Sequence, residues 1–351
     1  MLINSHLGRL LIPALLCAAA ISAQQNPAPA PPAKLKITLD VVVSPKSGSP
    51  VADLQQQDFT VLDNNAPQAI TSFKAVTGRE APIRAVVVID AVNASYETVS
   101  RARPEIDKFL RAEGGRLAYP VSLVIFGDKG AQELGSFSTD GNALSAALDQ
   151  TDVGLRSITR SAGFYGATER WQLSIQTFGQ LVAKMATLPG RKVMLWISPG
   201  WPLLSGPRVE LDSKQQQEIF ANIVSLSAEL LQARVTVYNV NPLGNSEGLS
   251  RVSYYKDFLK GVTKPGQVQI GDLGLPVLAV QSGGEVLNLN NDVASLLQAC
   301  LADSVPYYEI SFDPVPSDHR DEYHHLEVKL AKPGLTARTR QGYYAQPSQA
   351  K

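Results

Sequence analysis

Four runs of apolar residues constrain this chain more than anything else in it: IRAVVVID (83–90), VSLVIFG (121–127), VMLWIS (193–198) and RVTVYNV (234–240). A strand with one wet face alternates apolar and polar residues. A continuous apolar run has both faces covered, as in a parallel sheet packed between helices. Helical patterns separate the runs. One covers roughly 97–112, and STDGNALSAALDQ reads as a helix capped by Ser138 or Thr139. Trp171, Ile175, Phe178, Val182 and Met185 recur at steps of three and four across 169–188, and Ile219, Ile223, Leu226 and Leu230 mark another helix. A last pair, GGEVLNLN and DVASLLQACLA, completes the alternation. Strands alternating with helices predict an α/β fold, a doubly wound, mostly parallel sheet of Rossmann-like type.

The flanks read differently. LKITLDVVV alternates as a half-buried strand, and DFTVLDNNAPQAITSFKAV reads as two strands about a turn at Asp63–Pro67. After the α/β block come YYEISF, HHLEVKLA and LTARTR, again alternating. Each β flank is too small to bury a core alone. The expectation is that they pair into one small β-sandwich with the α/β domain inserted between them, which brings the inserted domain's ends together. The boundaries are 35–80 for the first β segment, 81–303 for the α/β domain, 304–345 for the second β segment and 346–351 for a tail.

The N-terminus bears on location. MLINSHLGRLLIPALLCAAAISAQQ has Arg9, an apolar run from Leu10 to Ala20, and small residues at Ser22 and Ala23. This predicts a secretory signal over 1–23, cut after Ala23, for a periplasmic or secreted protein. The run is shorter than the ~20 residues a membrane-spanning helix needs. QQNPAPAPPAK then reads as a Pro/Ala linker over 24–34. Removing the signal removes Cys17 and leaves Cys300, so no internal disulfide is expected, and Cys300 reads as a buried small hydrophobe. The formal net charge is zero, which gives no electrostatic case for nucleic acid.

VVVSPKSGSPVADLQQQDFTVLDNNAPQAITSF, VVVIDAVNAS, LPGRKVMLWISPGWPL, VTVYNVNP and YYEISF…HHLEVKLAKPGLTARTRQGYYA together resemble the VWFA-related domain family of exported bacterial proteins. The resemblance covers nearly everything after the linker. It implies a von Willebrand factor type A domain between short β segments. It also implies a metal-ion-dependent adhesion site at the C-terminal edge of the sheet, built from D-x-S-x-S, a Thr from a later loop and an Asp after the fourth strand. A hard cation needs such a set of oxygen ligands, with one position left for a partner's carboxylate. In this chain Asp90 matches the first Asp, but Val92 and Ala94 stand at the two Ser positions. GATER makes Thr168 the match for the Thr, and Pro199 stands where the later Asp belongs. Two of the five positions survive, with Asn93 and Ser95 as neighbouring substitutes. The set reads as a vestigial site in which Asp90 organises its loop by accepting hydrogen bonds. The other reading is a variant Mg²⁺ or Mn²⁺ site.

Other constellations are weaker. DHRDEYHH (318–325) clusters His with acids, matches no zinc spacing and reads as a solvated loop. No G-x-S-x-G elbow, phosphate loop or carboxylate pair supports catalysis, so an exported α/β hydrolase is an outlying alternative. SPGWPLLSGP (198–207) follows the fourth strand, and Ser198, Trp201 and Pro202 are candidates for a partner-binding rim. Trp201 reads either as an exposed anchor or as a ring packed under its own loop. The expectation is an exported, non-catalytic protein-interaction protein without a resident cofactor. Its protein partner and oligomeric state are left open by the sequence.

Overall fold

A computed structural model describes residues 36–78, 82–151, 163–202, 210–244 and 253–347, which fall in one compact unit. The expected signal and linker lie outside the described residues, as do 203–207 of the candidate rim.

The chain opens with four strands: β1 (Ile37–Pro45), β2 (Phe59–Asp63), β3 (Ala66–Gln68) and β4 (Ile70–Val76). The α/β run is β5 (Ile83–Asp90), α1 (Tyr96–Gly115), β6 (Arg116–Gly127), β7 (Gly130–Glu133), β8 (Ser138–Asp140), α2 (Gly141–Asp149) and α3 (Gly163–Ala186). It continues with β9 (Arg191–Ile197), α4 (Ser213–Ala233), β10 (Val235–Val240), α5 (Leu275–Gln281), β11 (Val286–Leu287) and α6 (Val293–Asp303). Four strands close the chain: β12 (Tyr307–Phe312), β13 (Glu322–Leu330), β14 (Leu335–Arg338) and β15 (Gly342–Ala345).

The central sheet has the order β11-β10-β9-β5-β6-β7, with β8 also paired to β6. All pairs from β11 through β6 are parallel, and only β7 and β8 run antiparallel. The apolar runs behave as their composition requires. Along β5, Ala85, Val87 and Ile89 enter one core with Ile106, Phe109, Leu144 and Leu297 from α1, α2 and α6. Val86 and Val88 enter the other core with Phe178, Val182, Ile223 and Leu278 from α3, α4 and α5. Strand β5 therefore feeds two cores at once, which is why Ala85 through Ile89 are all apolar, while Arg84 at its open start stays half-buried.

The flanking strands form two antiparallel four-stranded sheets, β14-β1-β12-β4 and β15-β13-β2-β3. Strands from before β5 thus pair with strands from after α6: Leu39 faces Ile310, and Val61 faces Val328. Ile37, Leu39, Val41, Phe59, Val61, Tyr308, Ile310 and Phe312 share a third apolar core. Asn64 and Asn65 are both left-handed (φ 47° and 67°), so the turn after β2 is a tight two-residue one. Ala66 therefore starts β3 by pairing with Asp63, and the turn is shorter than the expected Asp63–Pro67. Asp140, not Ser138 or Thr139, caps α2, accepting from the Ala143 N–H at 2.9 Å. The two hydroxyl residues are drawn into β8 by its pairing with β6.

Among the described residues no helix is long and apolar enough to cross a membrane. Cys300 is buried in α6, and burial pushes its thiol well above the usual range.

Candidate functional site: the carboxylate at the switch point

In the order β11-β10-β9-β5-β6-β7 the chain leaves β5 toward α1 on one face of the sheet. It reaches the neighbouring β9 from α3 on the other. The loops after these two strands therefore diverge, and the crevice at their C-terminal ends is where open α/β sheets bind ligands. Asp90 is the last residue of β5 and stands at this switch point.

Its side chain is 1 % exposed and fully engaged. Oδ1 accepts from the backbone N–H of Val92 at 3.0 Å and of Asn93 at 2.8 Å. Oδ2 accepts from Asn93 Nδ2 at 2.9 Å and from the Trp196 indole Nε1 at 3.0 Å. Register explains the last bond. Val88 pairs with Trp196 across β5 and β9, and Asp90 shares the face of Val88 because side chains alternate with period two. Asn93 Nδ2 also donates to Ser174 Oγ at 2.9 Å, and that hydroxyl donates to the Arg170 carbonyl at 2.7 Å. This fixes the amide orientation, because turning it over would set an oxygen against the Asp90 carboxylate. Burial pushes the Asp90 carboxyl up from its usual value, and the donors from Asn93, Trp196 and Ser198 pull against that shift.

The surroundings are apolar. Phe126, Phe178, Trp196 and Trp201 form a cluster with ring centroids 5.5–5.9 Å apart where they touch. Trp201 is only 4 % exposed, edge-on to Trp196 and Phe178, so it is no exposed anchor. Ser198 is fully buried, its hydroxyl accepting from the Gly200 N–H at 3.1 Å, and Pro202 is half-buried. The candidate rim Ser198–Trp201–Pro202 is corrected accordingly: the segment turns inward because its indole fills the aromatic cluster.

The residues do not fit a divalent cation. Such an ion needs several oxygen ligands converging on one point, and here both Asp90 oxygens already face N–H hydrogens. Val92 and Ala94 are buried in the two cores. Ser95 is the N-cap of α1, accepting from the Thr98 N–H at 3.1 Å, so its hydroxyl is committed to the helix. Asn93 turns its NH₂ end, not its oxygen, toward Asp90. Thr168 is half-buried on α3, and Ser174 of the same helix, which the sequence did not single out, bonds the Asp90 loop through Asn93.

The second cluster lies elsewhere. His324 is buried on β13, donating from Nδ1 to Asp63 Oδ1 at 2.8 Å, while the Tyr343 hydroxyl donates to Asp63 Oδ2 at 2.7 Å. The expectation of a solvated loop fails for His324, because β13 turns it inward and His325 outward. Burial and the neighbouring Asp63 push the Tyr343 hydroxyl up. Among the described residues, no group of three or more His, Cys, Asp or Glu is placed to hold a metal ion.

No family model matches the chain, and no curated protein matches it. Among solved structures it is similar to proximal thread matrix protein 1 from the mussel byssus. One crystal form matches at 11 % identity and TM-score 0.34, covering 69 % of this chain and 51 % of that one. A second crystal form matches at 11 % identity and TM-score 0.31, covering 65 % and 49 %. The chain thus spans about half the length of the mussel protein. It is also similar to the SpRpn10 VWA domain, at 12 % identity and TM-score 0.28, covering 65 % of this chain and 97 % of that domain. Likenesses this loose carry no argument about function. The α/β assignment rests on the strand order and on the helices covering both faces of the sheet.

Proposed function

We propose that this chain is an exported, non-catalytic protein-interaction module of the VWFA-related kind, binding a protein partner along the C-terminal rim of its parallel sheet without a metal. In this reading the α/β domain is inserted in a sandwich made by the two β flanks. The observation that carries it is where large apolar side chains stay in water. Among the described residues these are Tyr96 (56 % exposed), Tyr165 (84 %), Leu289 (77 %) and Val315 (56 %). Tyr96 opens α1 directly after the Asp90 loop, Tyr165 lies in the first turn of α3, and Leu289 follows β11. Helices that cross back between parallel strands begin at the strands' C-terminal edge. Topology therefore places three of the four on one rim. Tyr is among the residues that dominate binding energy at protein interfaces, so Tyr96 and Tyr165 are the anchors and Leu289 adds apolar area beside them. Scattered exposure would spread such groups over all sides.

Site-specific photo-crosslinking tests the reading. A photoreactive residue at 96, 165 or 289 should give a discrete protein adduct in the cell envelope, and one at Glu327 or Lys329 on β13 should not. Equal labelling from both sets, or none from the rim, overturns it. N-terminal sequencing of the exported protein checks export separately, with cleavage expected after Ala23.

A further inference from the structure

We infer that the side-chain N–H groups of Asn93 and Trp196 do for the buried Asp90 carboxylate what a divalent cation would do, setting the rim loop in one conformation without any ion. The geometry leads there in three steps. A carboxylate this deeply buried needs compensation by opposite charge or by several donors. Four N–H donors reach it, two on each oxygen, with the Ser198 hydroxyl as a further donor, so each oxygen is engaged by hydrogens and not left open to an ion. The donors also come from separate parts of the fold. Val92 and Asn93 lie in the loop after β5, and Trp196 lies on β9. Through the second hydrogen of its amide, Asn93 ties the same loop to Ser174 on α3.

The consequence is mechanical. A cation bridging loops can leave or change its ligands, and the loops then move with it. Here the bridge is covalently part of the chain, so the loop before Tyr96, the end of β9 and the α3 helix stay in register at any ion concentration. Asn93 and Trp196 are positioning residues. Val92 and Ala94 support the arrangement by filling apolar core at places where a ligating hydroxyl would be needed. The inference rests on the proposed rim only for its biological use. Its test reads the loop itself, so failure of one leaves the other standing.

The test is thermal melting of the purified chain in EDTA and in millimolar Mg²⁺ or Mn²⁺. The wild type should melt at the same temperature in all three. Asn93→Ala should lower the melting temperature by about 2–6 °C, again without regard to the ion. Trp196→Phe, which keeps a ring in the aromatic cluster, should do the same. Asn93→Asp places a second carboxylate beside the first, so it should be the least stable variant in EDTA and recover with Mg²⁺ or Mn²⁺. The inference is overturned if the wild type gains stability on adding the ion and Asp90→Asn abolishes that gain. It is equally overturned if Asn93→Ala and Trp196→Phe both melt like the wild type.

Discussion

Asp272 makes a defined contribution to the pH dependence of stability. It is 6 % exposed in the turn before α5, accepting the Gln269 N–H at 2.7 Å, and burial pushes its carboxyl up to about 6 from 3.8. Between those two values the folded protein holds a proton that the unfolded chain has released. Stability therefore falls as pH rises through the window, and the loss is complete above about 6. The slope is worth up to about 3 kcal/mol. Asn at this position keeps an acceptor for Gln269 and forfeits about 1 kcal/mol of charge-assisted bonding. Asp272→Asn should accordingly flatten stability between pH 4 and 6 and stabilise the protein by about 1–2 kcal/mol at pH 7, read by urea unfolding at pH 4.5 and 7. Asp90 itself was legible in the sequence as a carboxylate ending an apolar strand. Its partner Trp196 was not, because it stands 106 residues later and meets Asp90 only through the register of β5 on β9. Ser174 was hidden similarly, as one polar position in the middle of an amphipathic helix.

The elements themselves were largely written in the chain. Continuous apolar runs gave β5, β6, β9 and β10, and three-and-four spacing gave α3 and α4, because burial on two faces and on one stripe leaves different patterns. Strand β7 escaped, since Gly130–Ala131–Gln132–Glu133 has no apolar alternation and forms by pairing on the edge of β6. The turn between α3 and β9 is one place where element geometry depends on one residue. Gly190 has φ +76°, and a Cβ there would lie 2.1 Å from the Pro82 carbonyl oxygen. Only glycine can make this turn so close to the chain entering β5. Gly190→Ala should cost at least about 2 kcal/mol from backbone strain and the clash together, measured by chemical denaturation.

For the molecule as a whole, an ion-pair cluster joins the end of α4 to the β-rich end, beside apolar contacts such as Val42, Val76 and Tyr307 in the core of the parallel sheet. Arg234, in a left-handed conformation at the end of α4, pairs with Asp40 on β1 and, at 2.8 Å, with Glu309 on β12. The Asp40 side chain is 8 % exposed, so removing its cation strands a charge in poor solvent. Arg234→Ala should destabilise by about 2–4 kcal/mol, and Asp40→Ala added to it should cost less than the two changes separately, as a double-mutant cycle will show.

The chain crosses between the β-rich end and the parallel sheet twice, before Ile83 and after Asp303. Both crossings lie at the edge of the sheet opposite Tyr96 and Leu289. A force applied between a tether on the β-rich end and a partner on the far rim would run lengthwise down the strands. It would load whole ladders of hydrogen bonds in shear instead of peeling them one at a time. Strand β5 carries that load most directly, held between β9 and β6 along its length.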